Sequence, residues 1–253
     1  MIDDNLAFHA AHLHRRAPGM TVLPAADVLV CDSGLADDTF NIVAAARFPA
    51  ASASERIAST LAAVRATGRP FTWWVGPDSA PFDLSDRLLE AGLPVGEREL
   101  AMRCRTGRRP VDRPVRVVST PSELADWAAV VAANWSPPSP TVLDFFAGTA
   151  RWSLAPGSPA RYLIGYASGR PVAAAEVCYG AGVAGFYNVA TLAVERRRGW
   201  ATALLSFGLG LAATEGYETA ILQAAHQAIS VYERLGFEPA GNVVEHAIAP
   251  SAG

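Results

Sequence analysis

Lysine is absent from all 253 residues, so the 21 basic side chains are all arginine. No ammonium group is available for a Schiff base, a pyridoxal phosphate lysine or the Gly-Lys-Ser/Thr end of a P-loop. Charge is sparse, at 18% of residues and net −3 at neutral pH. It gives no global pull toward nucleic acid or an anionic membrane, and neither is expected as a partner. Cysteine is scarce too: Cys31, Cys104 and Cys178 are far apart, odd in number and without CxxC or Cys/His ligand spacing. They read as buried thiols of a reducing compartment, and no metal is expected. The start, Met1-Ile2-Asp3-Asp4, lacks a basic region followed by an apolar one, so a cytoplasmic location is expected. The Ala- and Arg-rich, lysine-free usage suggests a high-GC bacterial genome.

What is abundant is apolar: 51% of residues are hydrophobic, enough for a real core and far from the composition of a disordered chain. Val177–Val194 and Gly199–Thr214 carry no charge. The first contains Gly180, Gly182 and Gly185 and reads as two strands around a turn. The second, at about 16 residues, is short of the roughly 20 a bilayer requires.

A basic, proline-punctuated stretch from Gly107 to Pro114 divides the chain, which predicts two domains, residues 1–110 and 114–250. In the second, strands are expected at Val115–Val118, Tyr162–Tyr166, Val172–Cys178, Phe186–Val194, Thr219–Gln223 and Val243–Ile248. Helices are expected to about Asn134, after the Pro-rich loop Ser136–Pro140, over Trp200–Glu215 with Gly216 as its stop, and over Gln227–Leu235. The order of elements is that of an α+β fold with a mixed, mostly antiparallel sheet flanked by helices. The first half repeats the later part of this order: strand Phe40–Ala46, helix Ser54–Thr67, strand Phe71–Val75, helix Leu84–Ala91, strand Glu99–Cys104. Leu88-Leu89-Glu90-Ala91-Gly92-Leu93 echoes Tyr232-Glu233-Arg234-Leu235-Gly236-Phe237, the sign of a tandem duplication.

The chemistry concentrates at Ala193-Val194-Glu195-Arg196-Arg197-Arg198-Gly199-Trp200-Ala201-Thr202, a strand entering a glycine turn and then a helix. Unpaired N–H groups and the positive end of the helix dipole converge there and suit a phosphate. The plainer alternative is a solvated arginine cluster beside a turn glycine. Arginines at a helix N-terminus are electrostatically misplaced, however, unless an anion joins them.

Arg196-Arg197-Arg198-Gly199-Trp200-Ala201 resembles the Arg/Gln-x-x-Gly-x-Gly/Ala signature of the GNAT superfamily of acyl-CoA-dependent N-acyltransferases, and Thr191-Leu192-Ala193-Val194 fits that family's fourth strand. Tyr232–Glu238 is similar to the family's Tyr-x-x-x-Gly-Phe segment. The likeness covers residues 115–248 well and 20–105 as a degenerate copy. It implies two GNAT-like domains, the second catalytic, acting as an acetyl-CoA-dependent N-acetyltransferase on a small-molecule amine. It also implies that the pyrophosphate sits on the amides of Arg198, Gly199, Trp200, Ala201 and Thr202, with Arg196 and Arg197 beside it. The pantetheine arm then pairs as a pseudo-strand along Leu192, Ala193 and Val194. Tyr232 is the expected proton donor to the leaving thiolate. The base stays open between Glu176, a water oriented by Tyr187 and Asn188, and His226.

Two departures matter. Ala225 stands where the family commonly carries Asn or Ser. The first half offers Arg47-Phe48-Pro49-Ala50-Ala51-Ser52 in place of the glycine turn and Leu88 in place of Tyr232, so it is not expected to bind acyl-CoA. The strand pair Trp73-Trp74 alternates faces, so at most one of the two is core. The rival readings are a non-catalytic acyl-CoA-binding or sensing protein, and an enzyme using a longer acyl-CoA or an acyl-carrier thioester.

Overall fold

A computed structural model describes residues 1–23 and 25–250. By contact the chain forms two compact units. One is Met1–Ala101 together with the chain from Ala240 onward, and the other is Met102–Pro239.

The first unit opens with α1 (Ile2–His12), β1 (Thr21–Leu23) and β2 (Leu29–Asp32), which lie ahead of every element read from the sequence. Then come β3 (Ile42–Ala44), α2 (Ala53–Arg65), β4 (Phe71–Val75), α3 (Leu84–Glu90) and β5 (Val95–Arg105), which crosses into the second unit. β1, β2 and β3 are antiparallel in sequence, whereas β3 and β4 run parallel, Ile42 opposite Thr72 and Val43 opposite Trp73. The α2 stripe Ile57, Thr60, Leu61 and Val64 follows the helical period. Its apolar members pack with α3's Leu84 and Leu88 on Val43, Phe71 and Trp73. Trp74, pointing to the opposite face, is half-buried against Ala10, Ala11 and Cys31.

The second unit contains β6 (Val115–Val117), α4 (Pro121–Ala132), α5 (Pro140–Ser153), β7 (Ala160–Ala167), β8 (Arg170–Gly180), β9 (Val183–Thr191), α6 (Trp200–Thr214), β10 (Thr219–Ala224) and α7 (Ile229–Arg234). Thr120 caps α4 by accepting the Glu123 N–H at 3.2 Å, and Pro121 occupies the first turn, where its missing N–H costs nothing. β6 to β9 are successive antiparallel neighbours, and β10 lies parallel to β9. Across the described pairings the sheet is mostly antiparallel, giving the mixed α+β architecture. α6 lies close on β7 and β9: a Cβ at Gly208 would fall 2.5 Å from the Phe186 ring, so only glycine permits the approach.

The last strand, β11 (Glu238–Ile248), pairs antiparallel with β4, from Val244 opposite Val75 to Ile248 opposite Phe71. By contact it therefore belongs with the first unit, whereas the linker composition drew the second domain on to residue 250. A composition shift marks a flexible connection but carries no information on strand exchange. The three cysteines are free and buried; burial pushes Cys31 up to about 12 and Cys104 up to about 11. Among the described residues no helix is long and apolar enough to cross a membrane. No His, Cys, Asp or Glu group among them is arranged to hold a metal ion.

Candidate active site

β9 is the axis of the site, and it does two different things along its length. Its first half pairs in parallel with β10, from Ala184 opposite Ala220 to Phe186 opposite Leu222. On the other edge its register with β8 shifts: Glu176 faces Tyr187, but Ala174 faces Ala190. Asn188 and Val189 thus stand against Ala175 alone. This is a β-bulge, and Asn188 takes the extra residue's left-handed turn at φ +53°. A bulge bends its strand and adds twist. Among the described residues no β10 partner follows Leu222, while β9 runs on from Tyr187 to Thr191. The edge facing β10 is therefore open there to an extended ligand.

Beyond Thr191 the structure departs from the sequence reading. The strand expected to run to Val194 stops, and Ala193–Glu195 form a short 3-10 turn with Val194 77% exposed. Glu195 N–H closes that turn on Leu192 O at 2.8 Å, a local bond that competes with extension. Extended strand therefore ends at Thr191 and does not include Leu192–Val194.

The turn into α6 leaves the start of the helix without a side-chain cap. Gly199 is the N-cap at φ +81°, with no side-chain cap bond and no acidic residue in the first turn. Arg197 is also left-handed, at φ +60°. The first N–H groups of a helix have no partner within it. Arg196, Arg197, Arg198, Gly199 and Thr202 are exposed. Arg198 reaches Glu195 at 3.1 Å, and Arg196 Nε donates to Thr191 O at 3.2 Å. Trp200 points the other way: its indole is buried over Gly165, where a Cβ would meet the ring at 2.8 Å, so it anchors the helix start from beneath.

Tyr232 sits on α7, 7% exposed. Its ring packs at 6.0 Å from that of Phe237, which lies edge-on at 6.4 Å from Phe186, the last β9 residue paired with β10. The Tyr232 carbonyl accepts the Leu235 and Phe237 N–H groups, at 2.9 and 3.1 Å, folding the chain back after α7. Two ring contacts thus tie Tyr232 to the point where the strands part. His226 is exposed on the 3-10 turn His226–Ala228, preceded by Ala225.

Glu176 does not face solvent. It is 1% exposed on β8, in a cross-strand row between Tyr162 of β7 and Tyr187 of β9, and its Oε2 accepts Asn188 Nδ2 at 2.9 Å. Burial above all, with the nearby Glu176, holds the Tyr187 hydroxyl well above the usual tyrosine range. Trp127 of α4 donates its indole N–H to Ala175 O at 2.9 Å, at the residue opposite the bulge. Sequence reasoning missed this bulge support; an Asn inside an apolar run was the only signal.

The first unit repeats the parallel strand pair but fills the corresponding edge itself. After Ala45, at φ +51°, Ala80 N–H donates to Ala46 O at 2.9 Å and Phe48 N–H donates to Ala80 O at 3.0 Å. α2 begins after Pro49 and carries Glu55 in its first turn.

Residues 126–237 match the model of the acetyltransferase (GNAT) family. The fold is similar to a GCN5-related N-acetyltransferase from Kribbella flavida (TM-score 0.72, 19% identity, 98% of this chain and 96% of that one). It is also similar to a GCN5-related N-acetyltransferase from Sphaerobacter thermophilus (TM-score 0.59, 17% identity, 89% and 82%). A tandem GNAT protein from the clavulanic acid biosynthesis pathway resembles it as well (TM-score 0.60, 15% identity, 93% and 86%). At these identities the likeness is one of fold. No curated protein matches the sequence.

Proposed function

We propose that the chain, whose residues 126–237 match the acetyltransferase (GNAT) family model, transfers an acetyl group from acetyl-CoA to the amine of a small molecule. One observation supports this most: the uncapped, left-handed start of α6 comes one short turn after a strand that parts from its parallel neighbour. An anion site and an open strand edge in series suit a ligand with a pyrophosphate at one end and an amide-bearing arm at the other.

Acetyl-CoA supplies an activated thioester. The N–H groups of Arg198, Gly199, Trp200, Ala201 and Thr202 hold its pyrophosphate, with the side chains of Arg196 and Arg197 adding positive charge. The edge from Tyr187 to Thr191 pairs with the pantetheine arm, and Leu192, Ala193 and Val194 flank its exit toward the phosphates. A β9 backbone N–H stabilises the carbonyl oxygen as it gains charge. The amine nitrogen bonds to the carbonyl carbon to give a tetrahedral oxyanion and passes its proton to solvent; as the oxyanion collapses the C–S bond breaks, and CoA leaves as a thiolate to whose sulfur the Tyr232 hydroxyl donates a hydrogen bond. Incubating a panel of small amines with acetyl-CoA while following free thiol tests the proposal. Acetyl-CoA binding without thiol release for any amine would instead mark an acyl-CoA-binding protein.

The amine attacks as its free base, so kcat/KM should rise about tenfold per pH unit below the acceptor's own pKa. Two acceptors of different basicity, compared across pH, should show breakpoints that move with the acceptor. A shared breakpoint would reveal a base on the enzyme.

Each chain should bind one acetyl-CoA. The first unit has filled its strand edge with Ala80, and its α2 start offers Pro49, which lacks an N–H, and Glu55, whose charge repels phosphate. Calorimetry giving two equivalent sites per chain would overturn this assignment.

A further inference from the structure

We propose that Glu176 is a positioning residue that acts through Asn188, holding the β9 bulge in the shape that opens the strand edge, and that it is not the base. The inference rests on the acetyl-transfer reading above and assigns one more part of its site. Asn188 is the only β9 residue at positive φ, and its side chain donates to Glu176 Oε2 at 2.9 Å. Asparagine visits the left-handed region more readily than other residues bearing a side chain, but it stays there only if the surroundings hold it. Glu176 supplies that hold from the adjacent strand, and Trp127 fixes Ala175, the residue opposite, by its 2.9 Å bond to the carbonyl. The carboxylate is 1% exposed. It faces Tyr162 and Tyr187 across the strands, with Cys178 two residues along β8, so a base there would have to pass its proton through buried hydroxyls.

The geometry separates the two roles experimentally. In Glu176→Gln the side-chain oxygen still accepts from Asn188 but cannot take a proton. A positioning role predicts kcat within tenfold of wild type and an unshifted pH profile, whereas Glu176→Ala and Asn188→Ala each lower kcat about 10²-fold. Asn188→Gly, which loses the bond but adopts positive φ freely, recovers about tenfold over Asn188→Ala. Hydrogen exchange over residues 187–191 in the free protein reads the bulge without turnover. It should quicken in Glu176→Ala and Asn188→Ala and stay at the wild-type rate in Glu176→Gln. Glu176→Gln as slow as Glu176→Ala, with a limb of its pH profile lost, would make Glu176 the base and overturn the inference. So would wild-type exchange in Glu176→Ala. A wild type inert toward every amine would strike the proposed reaction instead, and the exchange comparison would still decide the role of Glu176.

Discussion

In Gly199→Glu, acetyl-CoA affinity should fall at least about 100-fold while the protein stays folded. A Cβ at residue 199 meets nothing within 4 Å, so the substitution causes no clash. Its cost is conformational: φ is +81°, and a side-chain-bearing residue there loses about 1–2 kcal/mol. The new carboxylate lies at the positive end of α6, a favourable place for an anion by about 0.3–1 kcal/mol, which offsets part of the strain. That same gain damages binding, because the carboxylate takes the amides and the charge that the pyrophosphate needs. Gly199→Ala carries the strain without the charge and should stay within about tenfold of wild type, since ~1.4 kcal/mol corresponds to a factor of ten. Arg47→Ala, which breaks the 2.7 Å ion pair with Asp4 in the first unit, should leave affinity unchanged. Calorimetry distinguishes the three. Unchanged affinity in Gly199→Glu would remove the pyrophosphate from this turn.

The parts of this molecule that a sequence shows well are those governed by local rules. Gly199 before an apolar helix and Gly216 after it bracket α6, because a cap and a stop are written in one or two residues. Trp73 and Trp74 fall on opposite faces, as a period of two demands; Trp73 is fully buried and Trp74 half-buried. The losses are where a distant partner decides. β1 and β2 are short; β2 pairs with the edge that β3 offers, and β1 with β2 in turn. β11 pairs with β4, about two thirds of the chain away, a choice that no spacing in the linker encodes. At the site, the bulge at Asn188 depends on Glu176 and Trp127, and neither lies within ten residues of it. Ending β9 at Thr191 rather than Val194 turned on the local bond from Glu195 to Leu192, which propensity does not resolve.

Replacing Tyr232 with phenylalanine should leave acetyl-CoA affinity within a few-fold and reduce kcat by about 10²–10⁴, the range for loss of a general acid. The ring keeps its packing, 6.0 Å from Phe237 and through it against Phe186, so α7 stays in place and only the hydroxyl is removed. Reference values near 10 for tyrosine and 8.5 for a thiol make full proton transfer to the sulfur uphill by roughly 2 kcal/mol. The hydroxyl therefore works chiefly as a hydrogen-bond donor to charge developing on sulfur. An interaction made only as the C–S bond breaks lowers kcat and kcat/KM equally and leaves ground-state binding alone. A structural role gives the opposite pattern: a displaced α7 would weaken binding and lower the melting temperature while turnover at saturation survived. Steady-state kinetics at saturating amine, paired with calorimetry on the same variant, separates the two patterns. Near-wild-type kcat in Tyr232→Phe would reduce Tyr232 to a packing residue and leave the leaving thiolate without a side-chain donor.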